Sequence, residues 1–210
     1  MDAIWKDLHQ KLLKLPAMTQ DPLRMFSIAF HYGWEQAGRL AAKNTLSIST
    51  LPFCSELAYL TGIEMYRLAE YRKSCGEAVV TWVREGSNLR FEGGDFIWWK
   101  TPPDEPHNSD CMKTMMDGHF SHGGAMYALW ENSASWWKPY RDILLVELEK
   151  CPSSTTVLHG TAGNAALETA KSCLACSGPR GRQDLKSFKT HLANAVDKIV
   201  SEIALDVRFK

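Results

Sequence analysis

Cys173 and Cys176 stand in the sequence as Cys-Leu-Ala-Cys, and His107 and Cys111 stand upstream in the spacing His-x-x-x-Cys. A Cys-x-x-Cys places two thiolates within reach of one tetrahedral ion, and the upstream pair offers the remaining two donors. Sulfur and nitrogen donors in that number suit zinc, which they bind without redox chemistry. The expectation is a structural zinc site on His107, Cys111, Cys173 and Cys176 that ties the middle of the chain to its C-terminal helices. His119 and His122 are alternative ligands, with a His-x-x-His spacing of their own inside a glycine-flanked stretch, Asp117 to Gly124. The competing reading of the cysteine pair is two small buried side chains three apart on a helix. The competing reading of the histidines is a solvated loop. Cys75 falls within a helical pattern and reads as core, while Cys54 and Cys151 carry no partner signal.

The same loop offers a second chemistry. Asp104, Glu105, His107, Asp117, His119 and His122 would supply a metal-activated water beside a carboxylate base. A Gly-x-Ser-x-Gly, a phosphate-cradling loop and a His-Glu-x-x-His are all missing, and Gly93-Gly94 and Gly123-Gly124 are plain doublets. A small metal-dependent enzyme is therefore the alternative reading, and no catalytic or cofactor-binding residue is assigned. A third constellation is aromatic. Trp98, Trp99, Trp130, Trp136 and Trp137 either wedge between helices as core or line a groove for a small apolar ligand or a partner helix. Adjacent residues on a helix point in different directions, so one of Trp136 and Trp137 is expected at the surface, as an interface residue.

The elements that must position these residues read as helices. Trp5 to Leu15 has a helical apolar period that ends at Pro16. Pro22 opens a helix carrying Leu23, Phe26, Ala29 and Phe30, and beyond Gly33 a second one carries Ala37, Leu40, Ala41 and Leu46. Together they predict an αα-hairpin. Glu64 to Arg84 is a longer helix, in which Gly76 costs up to about 1 kcal/mol unless a neighbour packs close against it. Helical patterns return over 125–131, 136–150 and from Asn164 to the cysteine pair, and again over 183–207. Between them, 85–124 is rich in Gly, Pro and Met, and a stretch that long without periodicity is expected to be metal-held or functional. The predicted fold is all-α, a single domain over 1–210 with about seven or eight helices stacked as hairpins or orthogonally. Its helical halves, 16–84 and 125–210, flank the irregular, metal-linked insertion at 85–124.

Composition limits the function. Lys plus Arg and Asp plus Glu are equal at 24 each, so the chain lacks the concentrated positive charge that a broad nucleic-acid or membrane-surface binder needs. The longest apolar runs fall short of a membrane span. Met1-Asp2-Ala3-Ile4-Trp5-Lys6 does not read as a secretion signal, so the six cysteines are expected as free thiols or metal ligands in an intracellular protein, cytoplasmic or nuclear.

Several stretches taken together resemble a fungal family. They are Tyr32-Gly33-Trp34-Glu35 with Arg39-Leu40-Ala41-Ala42, Glu70-Tyr71-Arg72-Lys73-Ser74-Cys75-Gly76-Glu77-Ala78, Trp136-Trp137-Lys138-Pro139-Tyr140 with Glu147-Leu148, and Ser172-Cys173-Leu174-Ala175-Cys176 with Asp184-Leu185-Lys186-Ser187-Phe188. Over about residues 16 to 207, their order is similar to the C-terminal helical region of basidiomycete BTB/POZ-domain proteins. In that family the region follows a BTB fold, a module for protein–protein association. The resemblance implies an adaptor-type role with a protein partner, and a chain that is either a fragment of such a protein or a stand-alone version without the BTB domain. Family members often carry a cysteine pair just after the aromatic run matched by Phe96 to Trp99. Here Lys100 to Pro106 contains no cysteine, and His107 and Cys111 follow instead.

Overall fold

Proline and glycine punctuate the first structural unit. A computed structural model of the chain describes residues 10–85, 89, 96–99, 107–111 and 133–209. Residues 10–13 are helical, and a single turn, α1 (Ala17–Gln20), leads into α2 (Pro22–His31). Pro22 sits in the first turn of α2, where its missing N–H has no partner to lose. Gly33 ends the helix with φ at 68°, the left-handed conformation that favours glycine. The chain then reverses into α3 (Glu35–Asn44), and α2 and α3 pack together as the expected hairpin. Ala29, Ala37, Ala41 and Ala42 are buried in this unit, and Asn44 Nδ2 donates to the Met18 carbonyl at 2.7 Å.

Two 3₁₀ turns, Thr45–Ser47 and Ser55–Tyr59, lead to α4 (Gly62–Arg84). A capping box starts α4: Thr61 Oγ1 accepts from the Ile63 N–H, and Glu64 Oε2 accepts from the Thr61 N–H at 2.9 Å. Leu68, Tyr71, Cys75, Val79 and Val83 form its buried stripe. Arg72 donates to the carbonyls of Thr45 and Ile48 and fixes the connection to the first hairpin. Gly76 has the close neighbour that its position demands. A Cβ there would lie 2.6 Å from the Glu149 carbonyl oxygen, on the helix that α4 packs against.

That helix is α5 (Trp137–Lys150), followed by α6 (Ser154–His159), α7 (Thr161–Ala170), α8 (Leu174–Ser177) and α9 (Pro179–Glu202). No strand occurs among the described residues, so the fold is all-α as the periodicity predicts. No helix among them is long and apolar enough to cross a membrane. Several boundaries differ from the expectation. α6 is an unpredicted helix, too short for a periodic stripe and started by the Ser153 side chain accepting from the Thr156 N–H. α7 begins at Thr161 rather than at Asn164, because Glu147 reaches across from α5 and takes the Thr161 N–H at 2.8 Å. α9 starts at Pro179 and stops at Glu202. Beyond it, Leu205 and Val207 are buried while Ala204, Asp206 and Arg208 are exposed, a period of two that belongs to extended chain. The sequence pattern over 199–207 fits both periods, and packing selects the second after Glu202.

The helical patterns at 5–9 and 125–131, most of the 85–124 insertion, and Trp130 lie outside the described residues.

The aromatic residues that are described form one buried block. Trp98 stacks on Phe96 at 4.9 Å and on Trp137 at 5.4 Å, and Phe188 of α9 meets Trp137 edge-on at 5.0 Å. Trp136 and Trp137 are both buried, against the expectation that one would be exposed. The N-terminus of α5 is covered on both sides: Trp136 faces Trp98 at 5.2 Å while Trp137 faces α9.

Candidate metal centre

The segments around this aromatic block interlock by backbone bonds, and that fixes the ligand-bearing residues. The Ala134 N–H donates to the Trp98 carbonyl and the Ser135 N–H to the Cys111 carbonyl, each at 2.9 Å. The N–H of Ile97 donates to Asp184 Oδ2 at 2.9 Å, joining the 96–99 turn to α9. Asn108 ties the two ligand pairs together. Its Oδ1 accepts from the Cys111 N–H at 2.8 Å, closing the turn over 108–111, and its Nδ2 donates to the Ser172 carbonyl at 2.6 Å. An Asn side chain bonding its own backbone a few residues on stabilises such turns.

The cysteine pair is not the end of the preceding helix, as the periodicity predicts. α7 stops at Ala170, Cys173 is extended at φ −116° and ψ 116°, and Cys176 lies in the short α8. Lys171 and Ser172 form the turn between, with the Cys173 N–H donating to the Ala170 carbonyl at 3.0 Å. Gly181 then lets α9 pass against this turn, since a Cβ there would lie 2.7 Å from the Cys176 carbonyl carbon.

These constraints bring His107, Cys111, Cys173 and Cys176 into one buried cluster whose ligand atoms all lie within 4.8 Å of one another. His107 Nδ1 is 3.5 Å from Cys111 Sγ, 3.4 Å from Cys173 Sγ and 3.3 Å from Cys176 Sγ. Cys111 Sγ and Cys176 Sγ are 3.7 Å apart. A tetrahedron with sulfur about 2.3 Å and nitrogen about 2.0 Å from its centre has S···S edges of about 3.8 Å and N···S edges of about 3.5 Å. The cluster therefore has the size and donor set of a tetrahedral metal site.

Its surroundings set the protonation of the donors. His107 Nε2 lies 2.9 Å from the Ile97 carbonyl, which can only accept, so Nε2 carries the proton and Nδ1 faces the sulfurs. Burial favours the neutral imidazole, but the bond to Ile97 and the adjacent Cys173 and Cys111 outweigh it, and the His107 pKa is raised. Contact with Cys176 is the main cause that holds the Cys111 thiol down to about 5, with burial opposing and Cys173 and His107 assisting. Cys176 is pushed up, first by that same contact and then by burial. The indole N–H of Trp136 lies beside Cys176 and favours its thiolate.

All six cysteines are free thiols. Cys75 is core, as its helical position predicts, with burial pushing its thiol up to about 11. Cys54 and Cys151 take no part in the cluster. His119 and His122, the alternative ligands, lie outside the described residues, as do Asp104, Glu105 and Asp117. Asn108, Asp184, Trp136 and Gly181 are supporting residues that the ligand spacing does not reveal. Only Asn108 carried a local signal, as a turn former inside the His-x-x-x-Cys stretch.

No family model, no curated protein and no solved structure matches the chain.

Proposed function

We propose that the chain is a non-catalytic helical domain, held together by a structural zinc ion, that serves protein–protein association. The observation that carries the metal half is the closed set of four buried donors, His107, Cys111, Cys173 and Cys176. Zinc bound there would neutralise the thiolates and cross-link the 107–111 turn to α8, so its binding free energy becomes folding free energy. Four protein donors complete a tetrahedral shell, whereas a catalytic zinc keeps one position for water or substrate. An enzyme acting through an ion at this cluster would need one of the four to leave it. The apolar-ligand reading is weakened by the tryptophans themselves, because the described rings fill one another's contacts.

Two features support association. One is the resemblance to the helical region that follows fungal BTB domains, in which His107 and Cys111 would stand in for the family's earlier cysteine pair. The other is a run of surface rings. His31 stacks on Tyr59 at 4.3 Å and Tyr32 stacks on Trp34 at 5.0 Å, with Tyr32 and Tyr59 exposed. Rigid, exposed Tyr and Trp rings are the side chains that dominate binding energy in protein interfaces.

Elemental mass spectrometry of the tag-free protein, with thiol titration alongside, tests the metal half. The expected result is close to one zinc per chain, with Cys111, Cys173 and Cys176 unreactive until a chelator is added. Protein without bound metal, whose thiol reactivity a chelator leaves unchanged, would overturn it.

A further inference from the structure

Residues 203–209 lie in the first hairpin unit as a peptide lies in a receptor. Ile203, Leu205, Val207 and Phe209 turn inward, while Ala204, Asp206 and Arg208 face solvent. Leu205 and Val207 are buried, and the half-buried Phe209 ring enters between α2 and α3. It meets Phe26 edge-on at 6.2 Å and Phe30 at 6.1 Å, and the Arg39 guanidinium sits 6.0 Å from its centroid. Gly38 makes the floor of this pocket: a Cβ there would run into the Phe209 ring. Arg39 Nη1 also donates to the Leu205 carbonyl at 3.2 Å, and Arg67 reaches Asp206 at 3.8 Å. Among the described residues, no backbone–backbone hydrogen bond ties 204–209 to a helix. The segment is held by the Phe209 ring in its pocket, by the burial of Leu205 and Val207, by one arginine reading its backbone and by one charge pair.

We infer that the α2–α3 groove is a peptide-recognition site, filled in cis by the 203–209 segment, and that its partner is an extended peptide of pattern apolar-x-apolar-x-Phe. Pockets for alternate side chains are the way an extended peptide is read specifically. A pocket floored by glycine and walled by two phenylalanines and an arginine selects an aromatic ring. The covalent tether gives the cis segment a millimolar effective concentration, so a partner enters only by outcompeting it. This deepens the association reading and rests on it. The groove shares no residue with the metal cluster, so loss of metal and loss of peptide binding report separately.

The test uses the 210-residue chain and a fluorescein-labelled peptide with the sequence from Ile203 to Phe209, followed by fluorescence anisotropy. Phe209→Ala and Leu205→Ser each loosen the cis segment and leave the groove intact. Each variant should bind the peptide at least about tenfold more tightly than the wild-type chain. A peptide carrying Ala in place of Phe should not bind, and adding Gly38→Ala to either variant should abolish binding. The inference is overturned if both variants, with wild-type helicity and metal content, fail to bind the peptide. Equal binding of the peptide lacking Phe overturns it too. Concentration-dependent dimers of the wild-type chain without peptide would assign the groove to a second copy's 203–209 segment instead.

Discussion

His107 and Ile97 share a hydrogen bond of 2.9 Å, and that bond decides which nitrogen of His107 faces the three sulfurs. Because the Ile97 carbonyl accepts from Nε2, Nδ1 is left as the candidate ligand atom. The turn that presents this carbonyl belongs to the aromatic block, so the donor set and the core are positioned by the same residues.

Removing a ligand should therefore unfold more than a site. The Cys173→Ser, Cys176→Ser double variant is expected to lose its metal and to melt well below the wild type, with a thermal transition indifferent to chelator. The wild type should melt lower once chelator is added. Scanning calorimetry of both proteins with and without chelator checks this, and identical, chelator-insensitive melting of the two would count against a structural ion.

Asn108 offers a subtler probe, since it touches no ion and instead links the Cys111 N–H to the Ser172 carbonyl. Hydrogen-bonding groups that orient the residues around a metal tune its affinity by about 10–100-fold. Asn108→Ala should weaken zinc by about tenfold in competition with a chromophoric chelator and leave the helical content unchanged. An unaltered affinity would mean that the bridge does not orient the ligands.

The ligand pattern was readable because donor type and spacing are local properties, and the structure brings all four named residues together. The helices were readable where a stripe ran long enough, as over Gly62–Arg84 and Trp137–Lys150. What escaped depends on contacts between distant segments. Glu147 caps a helix fourteen residues away, and Asp184 holds a turn eighty-seven residues away. Neither leaves a mark at its own position. The Trp136/Trp137 pair departs from expectation for a related reason, because adjacent side chains diverge on an isolated helix but both are covered when the helix end is enclosed. The end of α9 failed differently, since Ile203, Leu205 and Val207 satisfy a helical and an extended period almost equally.

Gly76 tests close helix packing. Alanine is the better helix former by about 1 kcal/mol, which on propensity alone predicts stabilisation. Here the added methyl would meet the Glu149 backbone at 2.6 Å, and backbone cannot swing aside as a side chain can. Gly76→Ala is expected to destabilise by about 1–3 kcal/mol in urea denaturation, overpacking outweighing propensity. A more stable variant would show that α4 and α5 part freely.

The capping box at Thr61 and Glu64 gives a pH signature. Glu64 has its pKa lowered from 4.5, chiefly by its bond to the Thr61 side chain, against a small opposing effect of burial. A carboxylate depressed in the folded state contributes stability that is fully present above its unfolded pKa and fades as the pH falls through its folded one. Glu64→Ala should cost about 1 kcal/mol at neutral pH, in line with other helix caps. The gap between variant and wild type should close on acidification below 4.5. Urea titrations across that range measure it, and a gap independent of pH would mean that the carboxylate charge is not what the cap uses.

Asp184 connects the core to the metal ligands, because it accepts the Ile97 N–H while the Ile97 carbonyl holds His107. Asp184→Ala would leave a part-buried N–H unpaired, at a cost of about 1–3 kcal/mol. It would also loosen the turn that orients the imidazole, so zinc affinity should fall together with stability. Asp184→Asn keeps an acceptor oxygen at the same place and should restore most of both. If Asp184→Ala lowers stability with zinc affinity unchanged, the 96–99 turn stays in place without its anchor and His107 is oriented by the sulfur cluster itself. If the two fall together and Asn rescues them together, the aromatic block and the metal centre form one cooperative unit.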